Sequence, residues 1–182
     1  MKSILLTLFH TKRGLDILDD EFEDDLKRKS AIIFGVYTAV QFLFDYNFEE
    51  ETNGFIINLL WLVFSIFISI LIWLLIALLF HKIGKILSGK ANYVEVLSVI
   101  AYSVVPIVLG LLIVGILKNT ELLTHDFNNL YSRNFILYIS WFFSLKILIQ
   151  GLAKFNQYGL LKALLNISPF IILQVVLKLY GY

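Results

Sequence analysis

The chain has 182 residues, 59% of them hydrophobic and 16% charged, with a formal net charge of +1. Soluble domains carry about 25% charged residues, so a water-soluble fold is excluded, and so small a net charge gives no electrostatic footprint for nucleic acid. With no cysteine there is no disulfide, no thiolate zinc site and no thiol nucleophile.

The first stretch, MKSILLTLFHTKRG, has a lysine but too short an apolar core for a signal peptide, and no small-residue cleavage pattern. The first membrane helices are therefore expected to act as the insertion signal. Residues 1–29 read as a cytosolic tail. Residues 4–9 can lie in the membrane interface or pack on the bundle, and the second is favoured. LDILDDEFEDDLKRK then puts Leu15, Leu18, Phe22 and Leu26 at helical spacing, with seven acids on the remainder.

Five apolar segments follow, at about 31–48, 55–80, 93–117, 135–150 and 159–180. The second has no charge over its whole length, and a run of ~18 or more such residues reads as a transmembrane helix. All five are expected to be helical, because irregular backbone facing lipid leaves polar groups unsatisfied. Ala31, Gly35 and Ala39 in the first segment, and Ser65 and Ser69 in the second, are small residues four apart, which lets helices approach closely. Lysine and arginine accumulate on the cytoplasmic side of short loops. Twelve of them fall in the tail, the second-to-third loop and the fourth-to-fifth connection, against three on the other side: Lys118, Arg133 and Lys178. This predicts an all-α, five-span protein with its N-terminus in the cytoplasm and its C-terminus outside.

Two prolines interrupt the spans. Pro106 frees the Tyr102 carbonyl and has Ser103 three residues before it; Pro169 frees the Leu165 carbonyl and has Asn166 three residues before it. Both can be packing kinks. They can also bracket a midplane pocket lined by Tyr102, Ser103, Asn166 and Gln174, as in transporters with interrupted helices. Asn92 and Glu95, three apart, have the pattern of a capping box opening the third span. The alternative for Glu95 is a carboxylate at the inner mouth of a pathway. Asp19, Asp20, Glu21, Asp24 and Asp25 form a solvated face or a partner-binding one.

The three histidines are far apart, and no HExxH, phosphate-binding loop, GxSxG or paired intramembrane carboxylates occur. No metal, cofactor or catalytic activity is expected.

The stretches SGKANY, with Gly89 and Lys90, and AYSVVP, with Tyr102 and Pro106, resemble the third-helix signature of the YIP family (Ypt/Rab-interacting proteins). GLAKFNQYGLLKAL, with Gly151, Leu152, Lys162 and Ala163, is similar to that family's connection between the fourth and fifth helices. The short tail resembles the family's bacterial branch. The resemblance implies a bacterial cytoplasmic membrane protein, or alternatively one of the ER and Golgi membranes. The small-residue helix faces, the acidic cytosolic tail and the lack of a catalytic set point to a non-enzymatic adaptor that holds other membrane or membrane-associated proteins, with the bilayer and a second copy of itself as further partners. The alternative is a small-solute or ion transporter using the proline-interrupted helices.

Overall fold

The computed structural model describes residues 2–45, 54–118 and 130–179, and every regular element among them is a helix. Two short N-terminal helices, α1 (Lys2–Phe9) and α2 (Thr11–Asp19), precede five long ones. These are α3 (Glu23–Asp45), α4 (Phe55–Ile86), α5 (Tyr93–Lys118), α6 (Leu130–Phe155) and α7 (Leu160–Leu179). Among the described residues three carry stretches long and apolar enough to cross a membrane: Phe55–Ile86, Tyr93–Leu117 and Phe135–Phe155. A shorter apolar stretch, Leu160–Leu173, lies in α7.

The acidic segment and the first apolar segment are one continuous helix, α3, rather than a tail joined to a span. Residues 46–48 of that segment lie outside the described residues. The amphipathic stretch is broken instead between α2 and α3, where the chain turns through Asp20, Glu21 and Phe22. Leu15, Leu18 and Leu26 enter the core, while Phe22, placed at the turn, stays 83% exposed.

α5 is the hub. Of its apolar stretch 67% is buried inside the protein, against 6% for α4. The two sequences account for this. α5 presents small and β-branched residues, among them Val96, Val99, Ala101 and Val104, all buried. α4 presents Leu, Ile, Phe and Trp, most of them exposed. Lipid tails are as apolar as leucine, so large apolar side chains gain little by leaving lipid, and thin helices that admit close neighbours become the centre. A Cβ on Gly151 of α6 would stand 2.5 Å from Val99 Cγ1, so that approach is open only to glycine. α3 is tied to α4 by a 2.6 Å hydrogen bond between Thr38 Oγ1 and Ser69 Oγ, and by the stacked rings of Phe34 and Trp73, 5.1 Å apart. Phe80 stacks on Phe170 at 4.1 Å and pins α7 to α4. Ring pairs of this kind are worth about 0.5–1.5 kcal/mol beyond their area.

The α4–α5 and α6–α7 connections lie at one end of the bundle, hereafter the base. Both helices stop there in the same way. Gly89 N–H reaches back to Gly84 O (2.7 Å) and Ser88 N–H to Lys85 O (3.0 Å). Tyr158 N–H reaches Ala153 O (3.1 Å) and Gln157 N–H reaches Lys154 O (3.0 Å). These paired returns are Schellman motifs, which require a left-handed residue just past the helix. Ser88 (φ 65°) and Gln157 (φ 55°) take that conformation. The α1–α2 hairpin docks at the same end, with Ser3, Thr7 and Thr11 buried.

Candidate functional site

The densest polar chemistry is at the base, where the two connections interlock around Asn156 and Asn166. Asn156 is buried. Its Nδ2 donates to Leu152 O (3.0 Å), and its own carbonyl accepts the Lys90 N–H (3.1 Å). A Cβ on Gly84 would stand 3.0 Å from its Oδ1, and one on Gly89 would overlap that oxygen. Asn166, fully buried, sits beside the same glycine and donates from Nδ2 to the Tyr158 hydroxyl at 2.9 Å. Its Oδ1 has no hydrogen-bond partner among the described residues. Burial holds the Tyr158 phenol above its usual pKa, against the pull of the Asn166 hydrogen bond. Lys162 Nζ donates to Leu87 O (3.1 Å), satisfying a carbonyl at the end of α4. Gly89, Lys90, Leu152 and Lys162, distant in sequence, are thus brought into one cluster. What the cluster does chemically is lock two loops, because its hydrogen bonds are directed inward.

The acids of the N-terminal region divide into two sets. Asp16 and Asp19 pair with Lys154 of α6 (2.5 and 3.6 Å). Glu21 pairs with Lys29 (2.6 Å), and Glu23 Oε1 accepts from Asn92 Nδ2 (3.0 Å). Burial works against the Lys29 charge, but the Glu21 hydrogen bond and the charges of Glu21 and Asp25 outweigh it and raise the ammonium above its usual pKa. These contacts fasten the hairpin to the base. Asp20, Asp24 and Asp25 remain exposed on either side of Phe22 in the chain, and among the described residues Asp24 reaches only Lys27 of its own helix (3.5 Å). Asn92 and Glu95 bond reciprocally: Asn92 Oδ1 accepts the Glu95 N–H (2.8 Å) and Glu95 Oε2 accepts the Asn92 N–H (2.7 Å). Both groups of that pair therefore serve the start of α5.

The residues around the prolines face different ways. Tyr102 is buried, and its hydroxyl meets Ser3 Oγ of α1 at 2.9 Å. Ser103 lines a cavity of about 220 Å³ between α3, α4, α5, α6 and α7, and its hydroxyl donates to Ile100 O (2.7 Å), not to the carbonyl freed by Pro106. Asn166 is not on that cavity's wall. The carbonyl freed by Pro169 is reached by Ser168, whose Oγ donates to Leu165 O at 2.9 Å. Pro106 is buried and Pro169 exposed. The side chain of Gln174 lies outside the described residues. Sequence reasoning passed over Asn156, Tyr158, Ser168 and Ser3. The available signal for the first two was their place between Lys154 and Gly159, where polar side chains end a helix. Ser3 pairs across the fold and left no local signal.

No group of His, Asp or Glu side chains among the described residues could hold a metal ion. Residues 27–180 match the family described as the Yip1 domain. No curated protein and no solved structure matches the chain.

Proposed function

The chain belongs to the Yip1 domain family, and from that premise we propose that this integral membrane protein is a non-enzymatic adaptor whose docking corner is the acidic turn between α2 and α3. The observation that carries the reading is the division of the acids. Asp16, Asp19, Glu21 and Glu23 hold the hairpin in place. Asp20, Asp24 and Asp25 are exposed on either side of the bare Phe22 in the chain. An aromatic anchor inside a charged rim on a fixed mount suits a basic partner surface with an apolar recess. The base faces the cytoplasm in this reading, all five long helices cross, and the bilayer is a bacterial cytoplasmic membrane. Lys82, Lys85 and Lys90 in the α4–α5 region support that orientation.

The Cys-free chain makes the sidedness easy to check. Single cysteines within 82–90 or 151–158 should label only from the cytoplasm, and those within 45–54 or 119–134 only from outside. For the corner itself, a photo-crosslinker at position 22 should capture a protein partner in intact membranes. Replacing Asp20, Asp24 and Asp25 by Asn should cut that capture at least several-fold while leaving insertion intact, and added salt should act in the same direction. Capture that survives the triple replacement and high salt removes the adaptor reading for this corner. Among the described residues no polar pair joins the two proline positions, and the cavity beside Ser103 is mostly apolar, which supports the adaptor reading over transport.

A further inference from the structure

The cavity in the middle of the bundle has a chemistry of its own. Tyr37, Trp73, Ser103, Trp141 and Phe170 bring one side chain or more from each of the five long helices to its wall. The rest of the wall is chiefly aliphatic, with Phe80 and one further hydroxyl, Ser144, and the Ser103 hydroxyl is already committed to Ile100 O. A hydrated ion or a sugar entering here would surrender its water for almost no replacement bonds, a cost of several kcal/mol for each polar group left unmet. Water is little better served, since a buried water needs two to four polar partners. At about 220 Å³ the space exceeds the ~150 Å³ apolar cavity that stays dry and admits benzene.

Access is from the side. Trp141 and Ile171 both line the cavity, and both are about half exposed on the outer surface. Past Pro169, Ile171, Ile172, Leu173, Val175 and Val176 are all exposed, so among the described residues no neighbouring helix closes that rim. At this depth of a membrane-spanning bundle the medium that reaches Trp141 and Ile171 is hydrocarbon, not water. The occupant must be apolar, narrow, flexible and present in the bilayer at high concentration.

We propose that this side-open cavity is a binding site for one acyl chain of a bilayer lipid, held between Trp73 and Phe170 with Trp141 at the entrance. The acyl chain is bound as part of the fold and is not carried across the membrane. The site is separate from the acidic corner, so its failure would leave the adaptor reading untouched.

The three tryptophans provide the test. The full chain, with Trp73 as sole tryptophan (W61F, and W141F, which keeps an aromatic ring at the entrance), is reconstituted in phosphatidylcholine vesicles whose acyl chains are brominated mid-chain. Trp73 emission should be quenched. Filling the cavity with Ser144→Leu, or independently with Ile107→Phe, should lower that quenching at least twofold. Trp61, 56% exposed on the outer face of α4 and absent from the cavity wall, is the control. As sole tryptophan it should be quenched equally with and without the filling substitution. Absence of Trp73 quenching in the unfilled protein overturns the proposal whatever the variants do. So does quenching that neither filling substitution reduces, because the quencher is then lipid around the protein rather than a chain inside it.

Discussion

α4 and α7 each live in two environments along their length. Near the base, α4 buries Ala77, Phe80 and Gly84, and α7 buries Ala163, Asn166 and Ile167. Away from the base, the same two helices present Phe55, Leu60, Phe64 and Phe67, and Ile172, Leu173 and Val175, to the outside. The base halves expose leucines too, but the far halves, none of whose described side chains is buried, are the more hydrophobic ones. In water this would be an inversion. In a bilayer it is expected, because lipid accepts a leucine as readily as protein does. What draws the helices together at the base is close approach over small residues and hydrogen bonds that lipid cannot offer. Hydrophobicity takes these helices into the membrane; glycine, alanine and asparagine decide where they touch.

The sharpest way to break that comparison is to add one methyl group at each kind of place. Gly89→Ala and Gly151→Ala put a carbon where Asn156 and Val99 already stand. Each should cost about 1–3 kcal/mol, the usual range for overpacking. Gly115, in α5 away from the base, has nothing among the described residues within 4 Å of a Cβ. There the same change should be neutral or stabilise by up to ~1 kcal/mol, the ordinary preference of a helix for alanine. Thermal unfolding in detergent, monitored by circular dichroism, compares the three. Equal losses at all three would show that the base is no tighter than the rest.

A smaller effect comes from deletion. Asn166→Ala removes the bond to the half-buried Tyr158 hydroxyl, a loss of about 1–2 kcal/mol. Ile172→Ala removes more carbon from an exposed position of the same helix and should fall within about 0.5 kcal/mol of the parent. If Ile172→Ala costs as much as Asn166→Ala, the far half of α7 has a packing partner. A second copy of the chain would be the first to seek, by crosslinking from position 172.

The smallest expected effect sharpens the comparison by strengthening the base. Gln157 is exposed and left-handed, a conformation that costs a non-glycine residue roughly 1 kcal/mol. Gln157→Gly should raise stability by about 0.5–1 kcal/mol, read in the same unfolding experiment. A fall instead would mean that the Gln157 side chain contributes to the interlock.

Legibility followed sequence distance. The uncharged run within 55–80 is a property of consecutive residues, and α4 indeed forms there, extended to Ile86 because nothing in HKIGK stops a helix before the left-handed Ser88. A helix start written as Asn-x-x-Glu is equally local, and α5 starts at Tyr93. The break at Asp20–Phe22 was masked, because Leu15, Leu18, Phe22 and Leu26 keep helical spacing straight through it. Pairing each proline with the nearest polar residue three before it missed Ser168, one before Pro169, whose hydroxyl reaches the freed carbonyl.

The sequence by itself determined that the chain is helical and belongs in a membrane, and which family it joins. Those properties rest on run length, local capping and short motifs, all of which act within a few turns of helix. Only the tertiary structure decided that α5 is the hub, that Ser3 meets Tyr102, and that Asn156 and Asn166 share one glycine. It also decided which acids are paired and which are left on either side of Phe22. The physical reason is that lipid makes apolar surface nearly indifferent to its neighbour. Helix partners are then chosen by a few close approaches and hydrogen bonds between residues up to 138 positions apart, as Asp16 and Lys154 are.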